Sequence, residues 1–209
     1  MTFDLEKPSE RDALVVIDPQ IDFCPGGALE VPEGDQVMGL INALAERFRH
    51  TVITQDWHPP GHISFASAHR AAPFSTTTLA YGEQMLWPDH CVQGTGGAEL
   101  HPLIRKGAAV PAELIVRKGH HANVDSYSAF FENDRTTPTG LAGYLRERGF
   151  DRCVFVGLAL DYCVRYSAED ALSLGFSTVV VRAATRAIDP AGAGAQALAA
   201  LAAGGAVLV

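Results

Sequence analysis

A thiol just past a buried strand, at the opening of a helix, is placed to attack a carbonyl carbon, and Cys163 occupies such a position. The apolar run 153–156 leads through Gly157 into LALDYCV (158–164), where a helical pattern begins. Backbone N–H groups converge at a helix start; they lower a thiol pKa and offer donors to a developing oxyanion. A cysteine in an apolar context is more often a small packed hydrophobe, so the reading depends on what else converges there. Asp18 follows the apolar run 13–17, and Lys118 follows the run 113–116. A carboxylate can take the thiol proton, and an ammonium offsets the negative charge that carboxylate and thiolate would otherwise share. Taken alone, Asp18 could initiate a loop and Lys118 could be solvated, but three such groups at three strand ends point to chemistry.

A second constellation is Asp56 and His58, two residues apart just past another strand, with His62 close behind and His90 farther along the same irregular region. Carboxylate and imidazole donors of this kind make a mixed site suited to Zn, Mn or Fe, with positions open for water or ligand. His62 reads equally as a surface histidine, and His90, beside Trp87 and Pro88, as a packed one. Phe23, Trp87 and Tyr127 are the aromatic residues that would wall a slot for a flat ring, although each also fits ordinary core packing. His120 and His121 follow Lys118 and Gly119 closely in sequence, while His50 and His101 read as surface or helix-end residues.

These groups need a scaffold that brings distant strand ends together. Continuous β-branched runs at 13–17, 52–56, 113–116, 153–156 and 178–181 read as buried strands, and 206–209 as an edge strand. Helical patterns at 37–48, 141–148, 164–174 and 195–203 fall among them. Between 57 and 111 periodicity is poor, but two Trp and many apolar side chains argue for an ordered functional loop. The alternation predicts a three-layer α/β sandwich around a mostly parallel six-stranded sheet, in one domain spanning 1–209. In such a sheet the carboxyl ends of the strands share one edge, where ligands bind. No GxGxxG follows the first strand and no GxxxxGK[ST] occurs, so dinucleotide and nucleoside-triphosphate readings fall away.

Composition narrows the partners. The 209 residues are 47% hydrophobic and 19% charged, with a formal net charge of -8 and no Lys/Arg run, which argues against nucleic acid or an anionic membrane surface. No apolar run is long enough to span a bilayer, and the opening MTFDLEKPSERD does not read as a secretory leader. Cys24, Cys91, Cys153 and Cys163 are scattered without CxxC spacing, so free thiols in a reduced, cytoplasmic setting are expected.

With VVIDPQIDFCPGGAL, TQDWHPPGHISF, LWPDHCVQGTGGAELHP, the loop at Lys118 and Gly119, and GLALDYCV in this order, the chain resembles the nicotinamidase/pyrazinamidase branch of the isochorismatase-like cysteine hydrolases over nearly its whole length. The resemblance implies an isochorismatase-like (Rossmann-like) hydrolase fold, a catalytic triad of Asp18, Lys118 and Cys163, and one divalent metal ion (Zn, Fe or Mn) on Asp56, His58 and His90. It also implies a cis peptide between Leu158 and Ala159, an oxyanion hole from the N–H groups of Ala159 and Cys163, and a pyridine ring bordered by Phe23, Trp87 and Tyr127. His62, separated from His58 by only three residues, stays outside the implied ligand set, with a supporting or pocket role. The implied activity is hydrolysis of nicotinamide through a Cys163 thioester, with pyrazinamide as a further substrate, and the family expectation includes a homo-oligomer. Competing readings are a cysteine amidase for ureido or carbamoyl compounds, which would not need Asp56, His58 and His90, direct metal-dependent hydrolysis, and a non-catalytic metal or small-molecule carrier.

Overall fold

The computed structural model describes residues 5–106, 112–189 and 192–209. In chain order the elements are β1 (Asp12–Ile17), α1 (Val37–Ala45), β2 (His50–Asp56), α2 (Ala66–His69), β3 (Thr76–Leu79), β4 (Gly82–Met85), α3 (Pro102–Lys106), β5 (Leu114–Lys118), α4 (Leu141–Glu147), β6 (Arg152–Leu158), α5 (Arg165–Ser173), β7 (Ser177–Arg186), α6 (Ala193–Ala203) and β8 (Val207–Leu208). Six of the strands form one sheet in the order β5-β2-β1-β6-β7-β8, and every pair in it is parallel. The expected α/β architecture with a central parallel sheet is the one that forms.

The run 13–17 is apolar throughout because both faces of the sheet are covered. Side chains alternate along a strand, so Leu14 and Val16 pack with Val37, Ile41 and Leu44 of α1. Ala13, Val15 and Ile17 pack on the other face with Leu141 and Leu145 of α4, Ala168 and Ala171 of α5 and Leu201 of α6. Burial on both faces explains why no polar alternation marks the central strands.

β6 lies beside β1 with Gly157 opposite Ile17. Gly157 has φ +108, and a Cβ there would run into the Ile17 carbonyl. Gly157→Ala is therefore expected to lower stability by about 3 kcal/mol or more, read as a shift of the denaturant midpoint. The backbone of β1 would otherwise have to move, and Asp18 is its next residue.

The third strand ends at Lys118, in register with Asp56 of β2, so these two oppositely charged residues are lateral neighbours. Several boundaries differ from the sequence expectation, and one of the differences bears on the site. The helix expected from 164 is preceded by a π-helical turn, Leu160–Val164, closed by Val164 N–H donating to the Ala159 carbonyl at 3.1 Å. The described part of the irregular region contains the β3–β4 hairpin and the short helices α2 and α3; residues 107–111 of that expectation lie outside the described residues. The helix expected over 37–48 stops at Ala45, the strand expected over 178–181 runs from Ser177 to Arg186, and the last strand is two residues long. No helix among the described residues is long and apolar enough to cross a membrane.

Candidate active site

Asp18, Lys118 and Cys163 meet at the carboxyl edge of the sheet, delivered by β1, β5 and the turn after β6. Lys118 Nζ donates to Asp56 Oδ1 at 3.1 Å, to the Ser126 carbonyl at 3.0 Å and to Cys163 Sγ at 3.4 Å. An ammonium has three protons, fewer than the acceptors gathered around it. Asp18 Oδ2 is the nearest acceptor of all, 2.8 Å from the same nitrogen, so the two form a buried, charge-assisted ion pair. The other oxygen, Oδ1, accepts the Thr54 hydroxyl at 2.6 Å, and Thr54 Oγ1 in turn accepts the Asp18 backbone N–H. Thr54 thus fixes the carboxylate and leaves one oxygen available for a proton.

Electrostatics follow from burial of all three groups. Burial pushes the Asp18 carboxyl above its usual range; Lys118 opposes this, and the charge of Asp56 adds to it. For Lys118, burial pulls downward, but Asp18, Asp56 and Cys163 outweigh it and hold the ammonium well above its ordinary pKa. Cys163 departs from expectation. Burial raises its thiol well above the ordinary value, Lys118 works the other way, and Asp18 and Asp56 raise it further. A helix start lowers a thiol pKa where it dominates; here desolvation and two carboxylates dominate, so the resting group is a thiol that needs a base.

Asp56, His58 and His90 converge on one point. Asp56 Oδ2 is 3.0 Å from His58 Nε2 and 3.3 Å from His90 Nε2. Ligands held at about 2.0–2.2 Å around one ion are separated by roughly 3.0–3.5 Å, which these distances match. His58 Nδ1 donates to the Gly119 carbonyl at 2.9 Å and His90 Nδ1 to the Pro88 carbonyl at 2.8 Å. Each outer nitrogen is thus occupied as a donor, which turns the Nε2 lone pair inward, the arrangement that metal-ligating imidazoles adopt. The donor set therefore fits a divalent cation. Gly119 (φ +66) has no side chain for a further reason: a Cβ would strike the His58 ring.

His62 is fully buried rather than at the surface. Its Nδ1 is 2.8 Å from Ser64 Oγ, its Nε2 donates to the His121 carbonyl at 2.9 Å, and its ring lies 4.3 Å from that of His58. With both nitrogens engaged elsewhere, it supports His58 from behind.

Phe23, Trp87 and Tyr127 line one pocket together with Asp56, His90, Ala159 and Cys163. The Leu158–Ala159 peptide is cis. Sequence reasoning missed several residues here. Tyr162 also lines the pocket, edge-on to Trp87 at 4.7 Å. Gln20 brackets Asp56, its Oε1 accepting the Asp56 N–H and its Nε2 donating to the Asp56 carbonyl, both at 2.8 Å. Asp125 Oδ1 stands 4.0 Å from His58 Nε2.

Gln84 of β4 is buried, and its Nε2 shares two protons among the Met85 carbonyl, Asp125 Oδ2 at 2.8 Å and Tyr127 Oη at 2.9 Å, while its Oε1 accepts from Tyr81 and Asn133. No motif spacing announces these residues, because each is recruited by contact across the fold. Gln84→Met would take a donor from Asp125 and Tyr127 and an acceptor from Tyr81 and Asn133. It is expected to cost about 2–4 kcal/mol in stability and about 10-fold in kcat/KM, measured by urea unfolding and steady-state kinetics.

A family model of the isochorismatase domain matches residues 12–209. A nicotinamidase of Acinetobacter baylyi is 53% identical over 88% of this chain and 85% of its own. Among solved structures, an Acinetobacter baumanii nicotinamidase/pyrazinamidase superposes with a TM-score of 0.93 at 49% identity, covering 97% of each chain. The pyrazinamidase of Pyrococcus horikoshii in complex with zinc gives 0.78 at 34% identity, covering 95% of this chain and 98% of that one. The chain belongs to the isochorismatase family, in its nicotinamidase/pyrazinamidase branch.

Proposed function

We propose that this chain hydrolyses nicotinamide to nicotinate and ammonia through a thioester on Cys163, and that it also deamidates pyrazinamide. The observation that carries the reading is the Lys118 ammonium in contact with both the Asp18 carboxylate and the Cys163 thiol, beside an aromatic pocket that also holds Asp56 and His90. The nicotinamidase and pyrazinamidase relatives support the same substrate class.

Asp18 Oδ2 takes the Cys163 proton as Sγ bonds to the carboxamide carbon, and the carbonyl electron pair moves onto oxygen. The N–H groups of Ala159 and Cys163 stabilise that oxyanion. Asp18 then returns the proton to the amide nitrogen, the C–N bond breaks, and ammonia leaves a nicotinoyl thioester. Asp18, again a carboxylate, removes a proton from the water that attacks the thioester; the C–S bond breaks and Cys163 is reprotonated. Lys118 stays charged throughout and balances whichever partner is anionic. Phe23, Trp87, Tyr127 and Tyr162 hold the ring. A divalent ion on Asp56, His58 and His90, zinc, iron or manganese, would supply a fixed positive charge to orient the ring nitrogen, directly or through water.

Because Asp18 must start as a carboxylate and its pKa is raised, kcat/KM is expected to climb with pH through that raised value, an acid limb above the ordinary carboxylate range. The decisive test is ammonia release from nicotinamide by purified protein of measured metal content. One equivalent of metal with turnover of nicotinamide and pyrazinamide is expected; metal-loaded, folded protein that releases no ammonia from either would end the reading.

A further inference from the structure

Two adjacent histidines on the segment leaving β5 have no part in the chemistry above. His120 and His121 are exposed, and their rings lie against each other with centroids 4.1 Å apart. His121 Nδ1 is 2.6 Å from Oε1 of Glu132, whose side chain is 5% exposed against 52% for His121. One donor atom from each of His120, His121 and Glu132 lies within 4.8 Å of the others. Two imidazoles and a carboxylate, open to solvent on one side, form the donor set that takes Zn²⁺ with a water in the fourth position. Drawing the atoms to the roughly 3.3 Å separations of a tetrahedral site asks for rotation of two exposed imidazoles and leaves the buried carboxylate in place.

We propose that His120, His121 and Glu132 form a second, surface-accessible site for a divalent transition-metal ion, distinct from Asp56, His58 and His90. Its position gives it a mechanical consequence. His120 and His121 begin, and Glu132 ends, the segment that supplies Asp125, the Ser126 carbonyl on Lys118, and Tyr127 of the pocket wall. The His121 carbonyl also receives His62 Nε2. An ion at this site fastens both ends of that segment together, so occupancy stabilises the pocket side of the fold without touching substrate.

The test uses the protein with its resident metal in place, dialysed against micromolar Zn²⁺ and analysed for bound metal. Wild type is expected to take up one equivalent beyond the resident ion. The double variant His120→Asn/His121→Asn should lose that equivalent and keep the resident one, Glu132→Gln should weaken the added ion by about 10-fold or more, and His101→Asn should behave as wild type. Added Zn²⁺ should raise the Tm of wild type by about 2–4 °C and leave that of the double variant unchanged. Should the double variant fail to fold, carbethoxylation of wild type decides the matter, since Zn²⁺ must protect His120 and His121 from diethyl pyrocarbonate in a mass-spectrometric map. Uptake of no added equivalent by wild type, equal uptake by the folded double variant, or modification unaffected by Zn²⁺ would each overturn the site and leave His121 and Glu132 a plain ion pair.

Discussion

Cys163→Ala is expected to lower kcat for nicotinamide hydrolysis by at least about 10⁴-fold with the metal still bound. The reason is that no other group can replace the departing sulfur. Among the described residues Cys24, Cys91 and Cys153 are buried free thiols, and none lines the pocket. Asp18→Asn is expected to fall nearly as far, because the thiol is held well above its ordinary pKa and Asp18 is the carboxylate that must take its proton. The double variant should be scarcely worse than either single one, since nucleophile and base act as a unit. Single-turnover ammonia release together with metal analysis reads both quantities. Retention of substantial activity by metal-loaded Cys163→Ala would instead favour direct metal-dependent hydrolysis.

Lys118→Met is expected to abolish turnover and also to destabilise the fold by about 3–5 kcal/mol, because it removes the cation from a pair of buried carboxylates. Lys118 is among the largest fully buried side chains, and its nitrogen sits between Asp18 Oδ2 at 2.8 Å and Asp56 Oδ1 at 3.1 Å. For a chain of this size such a loss corresponds to a fall in Tm of about 10 °C or more. The pH dependence has a definite sign. Asp18 already holds its proton more tightly in the folded state than an unfolded aspartate, whose pKa is about 3.9. A carboxyl raised on folding contributes stability below the unfolded value and loses it as pH rises through the folded one. Without the opposing ammonium the rise is larger, so the deficit of Lys118→Met relative to wild type should grow upward from about pH 4 and shrink in acid. Urea unfolding across that range measures it, and a deficit that deepens on acidification would contradict the burial and charge assigned to Asp18.

The strands and the residues at their ends were legible in the sequence for one physical reason. A strand buried on both faces is written as an uninterrupted β-branched run, and a charged residue that ends such a run stands out. That logic located Asp18, Asp56 and Lys118 at one edge of a parallel sheet, and the ordered motifs around them pointed to the family. It was less able to locate Cys163, whose helix start proved to be a π-helical turn stepped out of the regular pattern. Gln20, Thr54, Gln84 and Asp125 were not legible at all, because a single polar residue, in a loop or within a strand, carries no period that reports its partners.

The chain's linear order by itself determined which chemical groups are present, that a parallel α/β sheet would carry three of them to one edge, and that Asp56, His58 and His90 are donors of metal-binding type. Tertiary structure alone decided the state of those groups. Whether Cys163 is thiolate or thiol depends on desolvation and on the distance to two carboxylates. Which oxygen of Asp18 faces Lys118 depends on Thr54 arriving from β2, and which nitrogen of His58 faces inward depends on the Gly119 carbonyl. Proton affinities and tautomers are set by contacts at about 3 Å between residues far apart in sequence, and spacing along the chain holds no record of such contacts.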